Sequence, residues 1–564
     1  MIQRHSTTVI SRLTAGAACG LLLAALPMGA VPLDAQTRPA ASPRLRVEIS
    51  FPASAHAGPI TGRVYVMVTR TLDVTIRGTA RKADPRQQIG RTGVPFFGRD
   101  VERLAPGQAA VIDDTDLGMP LESLKDIPPG EYFVQAMVNV YSEFTRADGK
   151  VVWMHDDQWE GQRWSVSPGN LYSPVQKVTI DPKAGGVIRL VADQVIPPIR
   201  VPPDTNYVKR LKLQSPTLTK FWGRPVYLGA VVLLPRDYGR ETISYPVNYV
   251  QGHFSLAPPY GFDEQNDFSK AWLSDGFPRF IAVTFQHPNP YFDDSYAVNS
   301  VNVGPYGDAI MQELIPEVER RFRIIPEPWA RVLSGGSTGG WEAAALQIFH
   351  PDFFGGAWSY CPDPVTFSDV EGINIYQDKN AFYKEYDWRR VPTINSRMTN
   401  GQVVNTSEQR NRFELVNGTK GRSGEQLDIW SAVYGPLGDD GYFAPLFDKR
   451  SGAINPAVAQ YWKEHYDLRF YLEQNWTTVG PKLIDKLFFY TGTADTYFLN
   501  NSTKALDEWM QKTENPHYQG FFMYGEGKPH CWSGPVSSQE RLKEIAQVIM
   551  RHAPAGTTFP WWRF

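Results

Sequence analysis

Residues 331–341, R-V-L-S-G-G-S-T-G-G-W, most constrain how this 564-residue chain can fold. A short apolar run leads into the pattern Gly335-x-Ser337-x-Gly339, and a helix-forming run, 342–349, follows it. A sharp turn from strand to helix strains the backbone, and flanking glycines tolerate the strain and let neighbouring elements come close. The segment therefore predicts a candidate nucleophile, Ser337, held open at a sheet edge. An ordinary glycine-rich loop between a strand and a helix is the alternative.

A serine becomes a useful nucleophile only when a base takes its proton and a third group orients that base. Asp495 follows an apolar and aromatic strand predicted at 486–490, and His530 follows a second one predicted at 520–524. In parallel sheets, ligands bind beyond the carboxyl ends of the strands. We therefore expect both side chains to lie close to Ser337.

Both partners have simpler explanations. Asp495 could cap the helix predicted at about 502–512, which is a common role for aspartate, and His530 could be a turn residue after a proline. The less well placed alternatives are His253, His287, His350 and His517 for the base, and Asp363, Asp369 and Glu526 for the acid.

Acyl transfer also needs donors for the developing oxyanion, usually backbone amides. The amide of Thr338, directly after the serine, is the first candidate. The second is expected in the loop after a strand predicted at 245–250, from the amide of His253 or Phe254. The sequence of this loop differs from the H-G-G-G pattern of many lipases.

From about residue 206 to 553 the chain resembles the putative-esterase (esterase D-like) family of α/β hydrolases, which includes feruloyl, acetylxylan and enterochelin esterases. The resemblance lies in segments 226–235, 245–252, 313–316 and 335–340, in Gly492-x-x-Asp495 and in His530. It implies Ser337 as nucleophile, Asp495 as acid and His530 as base. The implied fold is an α/β hydrolase, a mostly parallel sheet with helices on both faces. The oxyanion loop departs from the commoner His-Gly form of the family.

The first 35 residues predict an export signal. Arg4 and Arg12 supply positive charge, an apolar stretch follows, and small residues suited to cleavage occur at Ala30 and Ala35. An uncleaved anchor is the alternative. No later segment is apolar enough to span a bilayer. We therefore expect a periplasmic or secreted protein with no stable membrane insertion after cleavage.

Residues 40–195 predict an all-β, immunoglobulin-like sandwich with antiparallel strands. Strand-like runs are separated by turn-rich segments, and they occur at 44–51, 60–69, 132–141, 176–180 and 187–191. A proline-rich linker, 196–204, leads to the catalytic domain, 205–564. Trp153, Trp159 and Trp164 could form a platform for sugars, with ordinary packing as the alternative. This domain could bind carbohydrate, contribute to the cleft or only stabilise the enzyme.

Residues 363–483 are too many for a simple connection between strands. They predict a lid-like insertion whose aromatic residues would form an apolar wall for the substrate. These residues include Tyr376, Phe382, Tyr383, Trp388, Trp430, Tyr434, Tyr442 and Trp462. Packing alone would explain many of these rings.

Signal cleavage would leave two cysteines, Cys361 and Cys531. Export favours oxidation, and both cysteines follow predicted strands at the same sheet edge. We therefore predict a Cys361–Cys531 disulfide that fixes the loop carrying His530. Two buried free thiols are the alternative.

Composition and motifs exclude several other functions. The net charge of −2, without a long charged run, gives no sign of nucleic-acid binding. His155-Asp156-Asp157 lacks the spacing of a zinc site, and no glycine-rich phosphate loop occurs, so we expect neither metal nor cofactor. We predict an exported serine esterase that hydrolyses a small or carbohydrate-linked carboxylic ester through an acyl-enzyme. An acyltransferase with the same triad, or a non-catalytic carbohydrate- or ligand-binding protein on this fold, are the alternatives.

Overall fold

The computed structural model describes residues 44–76 and 78–562, which belong to one compact unit. The predicted signal segment, 1–35, lies outside the described residues. No helix in the described part is both long enough and apolar enough to cross a membrane.

The N-terminal part is built from strands arranged mainly in two sheets. The strands are β1 (Leu45–Ser50), β2 (Ile60–Thr69), β3 (Asp73–Ile76), β4 (Thr79–Lys82), β5 (Phe96–Leu104), β6 (Ala110–Ile112), β7 (Gly118–Met119), β8 (Gly130–Thr145), β9 (Val151–His155), β10 (Leu171–Tyr172), β11 (Gln176–Ile180), β12 (Gly186–Val191) and β13 (Gln194–Val195). An eight-stranded antiparallel sheet centres on β2 and β8, and a three-stranded sheet has the order β12-β1-β6. Their buried β-branched side chains form one apolar core.

One pairing in this part differs from the prediction. β1 runs parallel to β12 along its whole length, whereas we expected only antiparallel pairs. The chain passes through the eight-stranded sheet between these two strands, so it can return to β1 in the same direction. Parallel neighbours require such a long connection. After β13, residues 197–204 contain neither helix nor strand and are mostly exposed.

A second eight-stranded sheet forms the centre of the C-terminal part. Its strands are β14 (Val208–Gln214), β15 (Tyr227–Leu233), β16 (Val247–Gln251), β17 (Ile281–Gln286), β20 (Arg331–Gly336), β21 (Ala357–Tyr360), β26 (Leu487–Gly492) and β27 (Phe521–Gly525). The order is β14-β15-β17-β16-β20-β21-β26-β27. β15 is antiparallel to both neighbours, and all later pairs are parallel. The prediction of a mostly parallel sheet is confirmed.

Helices and a short hairpin connect these strands. They are α1 (Pro216–Trp222), α2 (Asp267–Trp272), the hairpin β18 (Asn299–Ser300) and β19 (Gly304–Pro305), α3 (Tyr306–Ala309), α4 (Ile315–Arg321), α5 (Thr338–Phe349), α10 (Asn500–Met510) and α11 (Ser538–His552). α3, a π-helical turn at Ile310–Leu314 and α4 follow one another without a break. Ile310, Leu314 and Val318 are fully buried along one face, while Phe322 lies beyond the helix end. Ser537 and Glu540 form a capping box at the start of α11.

The insertion contains two hairpins and four helices. They are β22 (Tyr383–Tyr386) with β23 (Arg389–Pro392), β24 (Ile394–Arg397) with β25 (Val403–Thr406), α6 (Ser407–Asn417), α7 (Gln426–Tyr434), α8 (Pro456–Tyr466) and α9 (Leu468–Val479). Phe413 and Val416 of α6 share an apolar cluster with Tyr65 of β2 and Phe96 of β5. The Arg63 guanidinium also donates to the Val416 carbonyl at 3.0 Å. The insertion is therefore packed against the N-terminal sheet.

Candidate active site

Ser337 lies in a strained turn between β20 and α5. Its φ of 58° and ψ of −122° are rare for a residue other than glycine, and tertiary packing must hold them. The Ser337 amide donates to the Tyr360 carbonyl of β21 at 3.0 Å. A Cβ atom on Gly339 would lie 2.1 Å from the Gln251 carbonyl oxygen, so α5 can approach the end of β16 only with glycine there. This geometry leaves the serine hydroxyl at the carboxyl end of the central strands.

Asp495 and His530 occupy the loops after β26 and β27. The buried Asp495 binds the amides of Tyr497 and Leu499 through Oδ1, at 2.8 and 3.2 Å. Its Oδ2 lies 2.8 Å from Nδ1 of His530. Asp495 is therefore not the N-cap of α10, which is Leu499; one of its oxygens holds the loop before that helix and the other faces His530. Gly492 permits this arrangement, because a Cβ atom there would lie 2.2 Å from the Lys528 carbonyl oxygen.

The imidazole of His530 connects the other two side chains. Its Nε2 lies 3.0 Å from the Ser337 hydroxyl, so the serine, histidine and aspartate form one continuous hydrogen-bonded chain. Burial lowers the pKa of His530, but hydrogen bonds with Asp495 and Cys531 outweigh that effect and raise this pKa to about 11. The surroundings therefore favour the imidazolium form, which is the form a base takes after it has removed a proton.

Asp363, considered above only as an alternative acid, contacts the serine instead of the histidine. It follows β21, is 2% exposed, and accepts a hydrogen bond from the Ser337 hydroxyl at 3.3 Å. Its other oxygen accepts from Thr338 at 3.0 Å and from Tyr296 at 2.5 Å. Burial raises the pKa of Asp363, whereas the Tyr296 hydrogen bond and the charge of His530 oppose the rise. Its position after a parallel strand was the only sequence signal for this contact.

An aromatic cluster surrounds Tyr296, and part of it comes from the insertion. Trp430 of α7 donates through its indole nitrogen to the Tyr296 hydroxyl at 2.5 Å, and Gln426 of the same helix donates to Asp363 at 3.2 Å. The rings of Trp341 and Tyr434 pack against Tyr296 with centroids 5.5 Å away. Two of the predicted aromatic residues, Trp430 and Tyr434, thus contact Tyr296 and are buried, as the packing alternative predicts, whereas Trp388 is 88% exposed.

The predicted oxyanion donors lie at the same edge. Thr338 is the first residue of α5, where backbone amides have no partner within the helix. The loop that carries His253 and Phe254 follows Gln251, which touches Gly339. The His253 side chain lies 3.0 Å from both Asp293 and Asp294, and these carboxylates raise the pKa of His253 against the effect of burial. The Phe254 ring packs on Trp159. Since the side chains of His253 and Phe254 have these other contacts, the groups of this loop that could bind an oxyanion are its backbone amides.

Cys361 and Cys531 are both free thiols, so the predicted disulfide is not formed. The hydrogen bond from Cys361 lowers the pKa of Cys531 to about 5, and His530 acts in the same direction. The two sulfurs and a ring nitrogen of His530 lie within 4.8 Å of one another. Both nitrogens of His530 are already engaged, which leaves no free imidazole nitrogen for a metal.

A second group with suitable ligand atoms is His253 with Asp293 and Asp294, which lie at hydrogen-bonding distance. The other alternative residues have separate contacts. The buried His287 binds Ser295 at 2.8 Å, His517 binds the Thr513 carbonyl at 3.0 Å, and Asp369 binds Asn501 at 3.1 Å.

The three N-terminal tryptophans do not form a shared platform. Trp159 and Trp164 are buried, and Trp164 stacks on Tyr65 at 4.1 Å. Trp153, on β9, is half-buried. The packing alternative therefore accounts for two of the three rings.

Part of the chain is similar to known esterases. Residues 227–488 match the family described as "Putative esterase". No curated protein sequence matches the chain. Among solved structures, a ferulic acid esterase is similar over 61% of this chain and 100% of its own, with 14% identity and a TM-score of 0.36. An S-formylglutathione hydrolase from Agrobacterium tumefaciens matches over 62% and 98%, with 12% identity and a TM-score of 0.35.

The BES protein from Bacillus cereus is similar over 62% of this chain and 98% of its own, with 13% identity and a TM-score of 0.32. The assignment therefore rests on the family match, which contains the strained serine turn, and the mostly parallel sheet agrees with it. Over residues 227–488 the chain matches the esterase family, and the protein is a carboxylic ester hydrolase.

Proposed function

We propose that the protein hydrolyses its ester through Ser337, His530 and Asp495. The observation that carries the proposal is the hydrogen-bonded chain, with the serine hydroxyl 3.0 Å from Nε2 and Asp495 2.8 Å from Nδ1. Ser337 attacks the ester carbonyl carbon while His530 takes its proton. Asp495 holds the ring and stabilises its positive charge.

The tetrahedral intermediate places its negative charge beside the Thr338 amide and an amide of the loop at 252–254. Fixed donors of this kind contribute about 3–4 kcal/mol to transition-state stabilisation. When the intermediate collapses, the bond to the alcohol oxygen breaks and His530 gives that oxygen its proton. The acyl group remains on Ser337. Water then attacks the acyl-enzyme, with His530 again as the base, and releases the acid.

The buried carboxylate of Asp363 supports the same cycle electrostatically. Its hydrogen bond to the serine hydroxyl places a negative charge near His530 at the moment when that ring becomes positive. Because Asp363 already has three side-chain donors on one oxygen, it stays in place when the serine leaves it. We therefore assign Asp363 a positioning role and leave proton transfer to His530.

The test is hydrolysis of p-nitrophenyl acetate and butyrate by residues 36–564 and by the same chain with Ser337→Ala. We expect the variant to lose at least about 10⁴-fold in kcat, as happens when a triad serine is removed. Ser54→Ala, at an exposed position of the N-terminal part, is the matched control and should keep full activity. Equal activity of Ser337→Ala and the unmodified enzyme, with both folded by circular dichroism, would reject Ser337 as the nucleophile.

Hydrolysis and acyl transfer are distinguished in the same assay. Addition of methanol or glycerol to a hydrolase should leave the free acid as the main product, whereas a transferase would form mainly the new ester. We propose hydrolysis, because the half-buried Ser337 and His530 leave their reacting atoms accessible from solvent.

We also propose that the enzyme is exported and that residues 40–195 form an immunoglobulin-like domain. The N-terminal charge and apolar pattern support export, and two sheets with a common core support the domain. Mass analysis of the protein secreted from a bacterial host tests the first proposal. Cleavage after Ala30 or Ala35 is expected, and an intact N-terminus would contradict it.

A further inference from the structure

An arginine of the N-terminal part reaches the loop that carries Asp495. Arg91 lies in a turn before β5, closed by hydrogen bonds from Gly93 to the Gly90 carbonyl at 2.9 Å and from Val94 to the Gln88 carbonyl at 3.2 Å. Its guanidinium donates to the Tyr497 hydroxyl at 3.4 Å and lies 5.5 Å from the centre of that ring. The closed turn thus presents Arg91 from a defined backbone position.

Tyr497 connects this arginine to the site. Its amide donates to Oδ1 of Asp495 at 2.8 Å, and its ring meets the His530 ring edge-on, with centroids 5.0 Å apart. During hydrolysis His530 gives a proton to the departing alcohol, so that alcohol must lie beside the His530 ring. Tyr497 and Arg91 are therefore placed to border the subsite for the alcohol part of the ester.

The charge of Arg91 is not used in an ion pair. The side chain is half-buried, and within the described residues no carboxylate lies within 4.0 Å of its guanidinium, the distance at which the other ion pairs are found. The acids that interact with it at longer range are Glu371 and Glu425. Burial raises the pKa of Glu371 to about 7 and also raises the pKa of Glu425. Glu425 already pairs with the buried Arg410 at 3.4 Å.

We propose that Arg91 forms an anion subsite and that the enzyme prefers esters whose alcohol part carries a carboxylate. The planar guanidinium fork matches a carboxylate in two parallel hydrogen bonds, and the Tyr497 ring beneath it offers an apolar surface for the rest of the alcohol. The inference rests on the proposed hydrolytic mechanism, because that mechanism decides which side of His530 receives the alcohol. It gives the N-terminal part a direct role in substrate recognition.

The test compares two acetate esters of equal shape and different charge, 4-carboxyphenyl acetate and 4-carbamoylphenyl acetate. A hydrogen bond to a charged group contributes about 1.5–3 kcal/mol, and 1.4 kcal/mol corresponds to tenfold. Arg91→Ala should therefore lower kcat/KM for the carboxylate ester by about tenfold or more, mainly through KM. The amide ester should change by less than about twofold. Arg91→Lys should restore part of the loss, and Arg81→Ala, an exposed arginine of β4, is the matched control.

Two results would overturn the inference. An equal loss for both esters in Arg91→Ala would mean that Arg91 only positions Tyr497 and His530. Unchanged kinetics for both would mean that Arg91 does not contact the alcohol. A binding measurement is independent of turnover, namely titration calorimetry of the Ser337→Ala protein with 4-hydroxybenzoate and 4-hydroxybenzamide. Preference for the carboxylate that disappears with Arg91→Ala supports the subsite even if Ser337 proves not to be the nucleophile.

Discussion

Removing the thiol beside the catalytic base should move the pH profile of the enzyme. A base must be neutral to accept a proton, so kcat/KM falls as the pH drops through the pKa of His530. Cys531 has a pKa of about 5 and carries negative charge near neutral pH, and it helps to raise the pKa of His530 to about 11. Cys531→Ser removes that charge. The pKa of His530 should fall, and the acid limb of the profile should move to lower pH.

The size of the shift follows from the distance between the two groups. The ring nitrogen of His530 and the sulfur of Cys531 lie within 4.8 Å. Coulomb's law at that distance gives about 3.5 kcal/mol at an effective dielectric constant of 20 and about 1 kcal/mol in water. Cys531 is exposed, so solvent screening places the interaction towards the lower value. Since 1.36 kcal/mol corresponds to one pKa unit, we expect a shift of about one pH unit.

The assay is kcat/KM for a p-nitrophenyl ester from pH 6 to 12, corrected for spontaneous hydrolysis, so that the range includes the pKa of His530 at about 11. Reductant is present so that both thiols stay free. Cys361→Ser is the matched control. Its hydroxyl can keep the hydrogen bond that lowers the pKa of Cys531, so the limb should stay close to that of the unmodified enzyme, whereas Cys361→Ala removes the donor and should shift the limb in the same direction as Cys531→Ser by a smaller amount. An unchanged midpoint in Cys531→Ser, or a midpoint at higher pH, would refute the electrostatic coupling.

Three further changes test the site and its support. Asp363→Ala leaves the buried Tyr296 hydroxyl without its carboxylate acceptor and should lower the free energy of unfolding by about 1–3 kcal/mol in urea titrations, with Asp363→Asn losing less. Gly339→Ala forces a Cβ atom against the Gln251 carbonyl oxygen. It should lower the free energy of unfolding by about 3 kcal/mol or more and remove most of the activity. A thermal midpoint equal to that of the unmodified enzyme would contradict this expectation. Phe413→Ala opens a cavity between α6 and the N-terminal sheet and should cost about 3–5 kcal/mol in the same titration, whereas a change below 1 kcal/mol would show that this contact is not tightly packed.

Local patterns predicted the central part of the fold well. The glycines around Ser337 permit a strained turn that depends on only a few neighbouring residues, and the turn is present. The capping box that Ser537 and Glu540 form at the start of α11 is equally local. Asp495 and His530 follow parallel strands, and strands of that kind bring their carboxyl ends to one edge whatever the connecting sequence.

Contacts between distant segments were not predictable in the same way. The Asp363 contact depends on how far β21 extends, and the parallel pairing of β1 with β12 depends on the route of the whole N-terminal chain. The disulfide prediction placed the cysteines correctly near one another but failed on the bond itself. Proximity of two strand ends does not fix the direction in which each thiol points, and disulfide geometry is narrow.

The shared core between α6 and the N-terminal sheet has a mechanical consequence. A lid can open as a rigid body only if its outer surface makes no other packing contacts. Here the insertion is anchored to the N-terminal sheet through Phe413, Val416 and the Arg63 hydrogen bond. Helix α7, which supplies Gln426 and Trp430, follows α6 in the chain, so the contacts of these residues with Asp363 and Tyr296 share the same anchored support. Deletion of the N-terminal strands would remove the packing behind α6 and α7, and with it Arg91.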